Sequence, residues 1–214
     1  MTESARTLVL ATTNANKLDE IRLGLSGIPL RLLSAADFPD VPEVPEESDH
    51  YAENALAKAT AFLAATGLPA LADDSGLEID ALGGAPGVRS RRFAGIETGF
   101  DEKMARILAA LEGRPDAERT ARFRCCVALA LPGGRVVVEE GVCEGRIARA
   151  PRGDRGFGYD PIFVIPALAR TLAELSPDEK LRVSHRGDSL AKIRPEIEAL
   201  ARPRILDGPR MRPV

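Results

Sequence analysis

Cysteine is scarce: three residues in 214, two of them adjacent (Cys125, Cys126) and one distant (Cys143). That number and spacing give neither a disulfide framework nor a zinc site. Cys125 and Cys126 sit in an apolar strand pattern and read as small buried hydrophobes. Long hydrophobic runs are absent too, and no stretch approaches the length needed to cross a bilayer. The N-terminal MTESARTLVLATTNANK has an early acid, a short apolar run and no small-residue cleavage pattern after it, so it does not read as a secretory signal. Neither sign of charge dominates, the formal net charge being −3. Non-specific binding to nucleic acid needs a basic face to displace counterions and is therefore not expected. Hydrophobic residues at 44% and charged ones at 29% fit a globular protein of the reducing cytoplasm, long enough to bury a substantial core.

What is there centres on Leu68 to Gly87, LPALADDSGLEIDALGGAPG. An apolar run meets two adjacent carboxylates, Asp73 and Asp74, and the pattern predicts a strand that ends there in a Ser75-Gly76 turn. Successive side chains on a strand point to opposite faces. One carboxylate is therefore expected in a functional cleft and the other as an anchor for the loop. Hard cations such as Mg2+ take one or two carboxylates plus substrate phosphates, which makes this a candidate metal position, although Asp, Ser and Gly are also ordinary turn residues.

Upstream, Thr7 to Ala11 reads as a buried strand leading through Thr12-Thr13-Asn14-Ala15-Asn16-Lys17 into a helical pattern at Leu18, Ile21 and Leu25. A helix N-terminus with a lysine at its entrance favours a phosphate, yet the stretch lacks the glycines and GK[ST] ending of a P-loop. Asn16 reads equally as an N-cap. A second short strand at Leu30 to Ser34 precedes an acid- and proline-rich loop, Phe38 to Asp49, whose Glu43, Glu46 and Glu47 are candidates to share a metal with the acid pair. His50 to Thr66 is helical and Ala-rich, with Asn54 and Lys58 at i, i+4 on one face.

Beyond the central stretch, Arg89, Arg91 and Arg92 form a basic segment that reads as a solvated loop, an anion contact or a subunit surface. Phe100 to Leu111 is an amphipathic helix. Two β-rich runs, Ala121 to Leu131 and Arg135 to Ile147, flank Pro132-Gly133-Gly134 as a hairpin. Arg152 to Phe163 (RGDRGFGYDPIF) is a Gly-rich loop whose Phe157 or Tyr159 either stacks on a flat ring or plugs the core. Lys180, Ser184, His185 and Arg186 precede a terminal helix running to about Leu200. Residues 201–214, rich in Pro and Arg, read as a poorly ordered tail after a domain spanning 1–200.

Five of these features occur in order: TTNANK, ENALAKA, LADDSGLEIDALGGAPGVRS, GFGYDPIF and SHRGDSLAK. Together they resemble the Ham1-like family of non-canonical purine nucleoside triphosphate pyrophosphatases, from about Leu8 to Leu200. The resemblance implies an α/β fold with a central mixed, twisted sheet flanked by helices, two lobes with a cleft between them, and a homodimer. It implies Mg2+-dependent hydrolysis of ITP, dITP and XTP to the monophosphate and pyrophosphate. By resemblance, Thr12, Thr13, Asn14, Ala15, Asn16 and Lys17 contact phosphates. Asp74 is proton acceptor and metal ligand, with Glu46 as the second acidic residue. Ser75, Phe157, Gly158, Tyr159, Asp160 and Lys180 contact substrate, and His185-Arg186 reads the base. Thr13 stands where many members have glycine, and EESDHYAEN departs from the usual EETGxTFxEN-like run. The alternatives are a Maf-like pyrophosphatase of modified pyrimidine nucleotides, which would not share the SHR and GFGYD segments, and a non-catalytic nucleotide-binding module.

Overall fold

The computed structural model describes residues 7–202. In chain order the elements are β1 (Thr7–Leu10), α1 (Ala15–Gly24), β2 (Arg31–Ser34), α2 (Tyr51–Thr66), β3 (Ala70–Ile79) and α3 (Phe100–Ala110). They continue as β4 (Thr120–Ala130), β5 (Val136–Ile147), β6 (Phe163–Ile165), β7 (Arg170–Thr171), α4 (Pro177–Val183) and α5 (His185–Ala201). The strands form one mixed sheet in the order β2-β1-β3-β4-β5-β6-β7. β1 pairs in parallel with β2 and β3, and every later pairing is antiparallel.

Alternation along the strands sorts the core. Leu71 on β3 with Cys125, Val127 and Leu129 on β4 meets Leu18 and Ile21 of α1 and Leu190, Ile193 and Ile197 of α5. The intervening Ala70, Ala72, Cys126, Ala128 and Ala130 face Ala55, Ala59 and Phe62 of α2 on the other side. Alanines on both partners let that helix lie close to the sheet. A third cluster, built on Leu77, Ile79, Ile107 and Phe163, fills the far end of the long strands under α3. The sheet thus carries one lobe at each end, and the long β3, β4 and β5 run through both.

Two backbone features fix this arrangement. The β4–β5 hairpin turns through Gly133 and Gly134 at φ +93° and +86°, a conformation side-chain-bearing residues rarely adopt. On β5, Gly141 lets the start of α5 lie directly on the strand, since a Cβ there would stand 2.0 Å from the His185 carbonyl oxygen.

Three sequence expectations are corrected. The strand does not end at the acid pair: β3 continues through Asp73, Asp74, Ser75 and Gly76 to Ile79, paired with β4 from Ala70↔Ala130 to Ile79↔Ala121. The ladder with β4 holds one edge of the strand throughout, and on the other edge side chains take over beyond Leu71: Lys58 donates to the Asp73 carbonyl, and the Ser75 and Leu77 N–H groups donate to Asp74 Oδ1 and Ser90 Oγ, so turn-forming residues do not break the strand. The N-cap of α1 is Asn14, whose side chain accepts the Lys17 N–H at 3.2 Å, and Asn16 lies within the helix. The helix thereby begins at Ala15, and Asp19 and Glu20, which the sequence pattern places in its first turn, fall outside it. Of the expected tail, Ala201 closes α5, and all beyond Arg202 lies outside the described residues. Among the described residues no helix is long and apolar enough to cross a membrane.

Candidate active site

A cavity of about 550 Å³ opens where the two lobes meet. One wall is the end of β1 with the first turn of α1: Thr12, Thr13, Asn14 and Lys17 line it. The free N–H groups of that turn and the helix dipole make this wall attractive to an anion. Ala15 and Asn16, on the same turn, are exposed and do not line the cavity.

The pleat separates the two central carboxylates. Asp74 faces α2 and the cavity; its Oδ2 accepts from Asn54 Nδ2 at 2.9 Å and its Oδ1 from the Ser75 N–H at 2.9 Å. Burial raises its pKa above the ordinary carboxylate value; Lys58 opposes the rise, and the charge of Glu46 adds to it. Glu46 is half-buried at the cavity wall, ion-paired with Lys58 at 2.8 Å. Lys58 also donates to the Asp73 carbonyl oxygen, so α2 holds both acids through the i, i+4 pair Asn54 and Lys58. Glu43 lines the cavity mouth and is exposed, while Glu47 lies outside the cavity.

Asp73 points the other way, into the layer beneath α1 and α5. Its carboxylate is buried between Lys17 at 3.0 Å and the Arg186 guanidinium at 2.9 Å. Burial alone would raise its pKa, but Lys17, Arg186 and Lys58 outweigh it and hold the carboxyl well below the usual range. From Arg186 a line of alternating charges continues to Glu20, then to Lys180 at 2.6 Å, and from Lys180 to Asp160. Asp160 in turn accepts the Phe157 N–H at 2.8 Å. Breaking one link of a buried network leaves an uncompensated charge, which costs about 3–5 kcal/mol. The chain of pairs therefore fixes the α1 wall, β3 and the Gly-rich loop relative to one another.

That loop and the start of α5 form the opposite wall. Phe157 is half-buried and lines the cavity; the Lys180 ammonium sits 4.7 Å from its ring centroid and Arg186 5.7 Å. Tyr159 is 2% exposed, belongs to the third core cluster, and donates its hydroxyl to the Ser90 carbonyl at 2.9 Å. The two readings of the loop are thus divided between its aromatics, Phe157 at the cavity and Tyr159 in the core. His185 stacks on Phe123 at 4.7 Å and 11°. Burial first, then Arg186 and Lys180, push its pKa well below the ordinary imidazole value, so the ring is neutral. Its Nδ1 is buried without a hydrogen-bond partner among the described residues. Arg186 directs four hydrogen bonds to Asp73, Glu20 and Ser75, leaving one of its five N–H donors uncommitted.

The cavity brings together Thr12, Thr13, Asn14, Lys17, Glu46, Asp74, Ser75, Phe157, Gly158, Tyr159, Asp160, Lys180, His185 and Arg186. Sequence reasoning did not assign Glu20, Phe100 or Phe123 to the site. Glu20 lies one turn after Lys17 on the same helix, a spacing that could have flagged it. Phe100 and Phe123 fall within the amphipathic helix and the first β-rich run with no signal of a site, and the tertiary structure turns them to the cavity.

The molecule is an α/β protein with a mixed sheet, whose cavity suits an anion at its helix-N-terminal wall and a flat ring at the facing aromatic. The chain belongs to the Ham1 family, whose model matches residues 8–196. It is 50% identical to a dITP/XTP pyrophosphatase of Geobacter sulfurreducens over 87% of this chain and 94% of that protein. It is 46% identical to a dITP/XTP pyrophosphatase of Geobacillus kaustophilus over 87% and 91%. Among solved structures it resembles a HAM1 protein from Coxiella burnetii, with a TM-score of 0.81 and 43% identity over 90% of this chain and 98% of that one.

Proposed function

We propose that the protein hydrolyses the non-canonical purine triphosphates ITP, dITP and XTP to the nucleoside monophosphate and pyrophosphate. The observation that carries the proposal is that one cavity joins a phosphate-binding helix end, two electrostatically coupled carboxylates and a half-buried aromatic. The names of its relatives support the substrate class. On this reading it is a cytoplasmic homodimer that clears deaminated purines from the nucleotide pool.

The acids fit Mg2+. Asp74 and Glu46 line one cavity with hard carboxylate oxygens, and the charge of Glu46 adds to the rise of the Asp74 pKa, so these are the residues that would hold the ion. Among the described residues no group of three or more His, Cys, Asp or Glu could hold a metal. When bound, Mg2+ supplies charge neutralisation at the phosphate oxygens.

Lys17 and the amides of the α1 N-terminus hold the triphosphate, and Asn54 and Lys58 hold the acids in place. Water attacks the α-phosphorus, the bond from the α-phosphorus to the bridging oxygen breaks, and pyrophosphate leaves with that oxygen. A carboxylate oxygen of Asp74 takes the proton from the attacking water. Phosphoryl chemistry of this kind is mostly positioning and charge neutralisation, so no covalent nucleophile is required.

Base choice follows from donors. Hypoxanthine and xanthine present an acceptor at position 6 where adenine has an amino group. The remaining Arg186 N–H and the loop amides near Phe157 bond that acceptor and are left unpaired against ATP. Ala15 and Asn16 contribute backbone amides of the helix end, and Ser75, Gly158, Tyr159 and Asp160 shape the base side. Pyrophosphate release from ITP, dITP, XTP, GTP, ATP and dUTP, with Mg2+ and with EDTA, tests the reading. Release from the first three, abolished by EDTA, is the expected result; preference for a pyrimidine or silence throughout refutes it.

A further inference from the structure

The basic segment after β3 has a part in the site that its position next to the cavity reveals. Arg91 lines the cavity mouth, and among the described residues its guanidinium reaches only Glu43 on the facing acidic loop, at 3.7 Å. Both side chains are largely exposed, 69% and 87%. A solvent-exposed pair at that distance is worth at most about 1 kcal/mol, so it opens at little cost.

The main chain beneath Arg91 is held far more firmly than its side chain. Lys103 of α3 is 2% exposed and donates its ammonium to the Arg91 carbonyl. Among the described residues it has no carboxylate partner, and the Phe100 ring covers it at 5.0 Å. Burying an ammonium is costly unless strong acceptors satisfy it. Tyr159 fastens the preceding carbonyl, that of Ser90, while the Ser90 hydroxyl donates to the Gly87 carbonyl at 2.7 Å. Two consecutive carbonyls are thus clamped by buried side chains. A guanidinium on a clamped backbone, paired only loosely and facing a cavity with a phosphate-binding wall, is prepared for an anion. Phosphate accepts the planar fork of arginine in two parallel hydrogen bonds, which a surface carboxylate at 3.7 Å does not match.

We propose that Arg91 is a substrate-binding residue that leaves Glu43 and binds a phosphate oxygen of the triphosphate. This rests on the triphosphate reading above. Glu43 is then a competitor for Arg91, and its charge belongs to the mouth and not to the metal. Arg89 serves as an internal control: it makes a similar exposed pair with Asp49 at 3.5 Å, but both lie outside this cavity.

The experiment is steady-state pyrophosphate release from dITP by the full chain and its Arg91→Ala, Arg91→Lys, Arg89→Ala and Glu43→Gln variants. In parallel, the affinity of each for inorganic tripolyphosphate is measured calorimetrically. Arg91→Ala is expected to raise KM about 10-fold with kcat within about 2-fold, the size of one charge-assisted contact present in ground and transition states alike. Arg91→Lys should recover part of the loss, Glu43→Gln should lower KM, and Arg89→Ala should leave it unchanged. Tripolyphosphate affinity should weaken in Arg91→Ala by a similar factor. Equal KM and equal tripolyphosphate affinity in wild type and Arg91→Ala, or equal losses in Arg89→Ala and Arg91→Ala, overturn the proposal. If the wild type releases no pyrophosphate from dITP, the functional reading fails by itself, and the tripolyphosphate comparison still decides whether Arg91 binds phosphate.

Discussion

Asp73 and Asp74 are chain neighbours on β3, yet their carboxylates belong to opposite sides of the sheet. Asp74 meets Asn54 at the cavity, and Asp73 is buried between Lys17 and Arg186. The same functional group, one residue apart, lines the cavity in one case and is buried in an ion-pair layer in the other. Their pKa values are driven in opposite directions for that reason, up at Asp74 by burial and down at Asp73 by its cations against burial.

Neutral variants of the pair should separate these roles. Asp74→Asn keeps the size of the side chain but removes the charge and turns one of the two oxygens that accept from Asn54 and the Ser75 N–H into a donor; turnover should fall at least about 10³-fold, with about 1–3 kcal/mol lost in unfolding. Asp73→Asn strands Lys17 and Arg186 in a buried layer and should cost about 3–5 kcal/mol in urea unfolding. A stable Asp73→Asn variant, or an active Asp74→Asn variant, would reverse the assignment.

The contact between β5 and α5 leaves no room for a methyl group at Gly141, where a Cβ would meet the His185 carbonyl at 2.0 Å and the Ser189 nitrogen at 2.4 Å. Gly141→Ala should therefore destabilise the fold by about 1–3 kcal/mol or more through forced backbone shifts. Because the displaced backbone is that of His185, a folded fraction should also show a raised KM. Thermal unfolding and initial rates report the two effects separately.

Thiol reactivity should track folding. Burial pushes the Cys125, Cys126 and Cys143 thiols up to about 12, 11 and 12, and all three are buried. Thiolate is the reactive form, so a thiol reagent at pH 8 should modify none of them in the native protein and all three in denaturant. Rapid labelling of a native cysteine would contradict the packing of β4 and β5.

Stability at low pH should draw on Glu179. Hydrogen bonds from Arg170 and from the Ser176 cap lower its pKa from 4.5 to about 2. A carboxyl depressed in the folded state stabilises above its unfolded pKa, and that contribution is lost as pH falls through the folded value. The melting temperature of Glu179→Gln should lie below wild type at pH 7, and the gap should close between about pH 4.5 and 2. A gap that persists at pH 2 would show that the carboxylate charge is not responsible.

Local chemistry determined much of this protein from sequence alone. The alternation of Ala70, Ala72 and Asp74 with Leu71 and Asp73 already requires that the two acids part company. The glycines at 133 and 134 specify the hairpin, and Asn54 and Lys58 share a face because of helical spacing. Five ordered motifs sufficed to indicate the family. The tertiary structure decided the rest, because it depends on partners distant in the chain. β3 runs past its turn-forming residues because β4, about 50 positions later, satisfies its backbone and because Lys17 and Arg186 neutralise Asp73. Glu20 became part of the site only when α4 and α5 delivered Lys180 and Arg186 to it. Phe100 and Phe123 became cavity walls only when the two lobes met. Periodicity records which face a side chain takes; only the assembled sheet and helices determine what stands opposite.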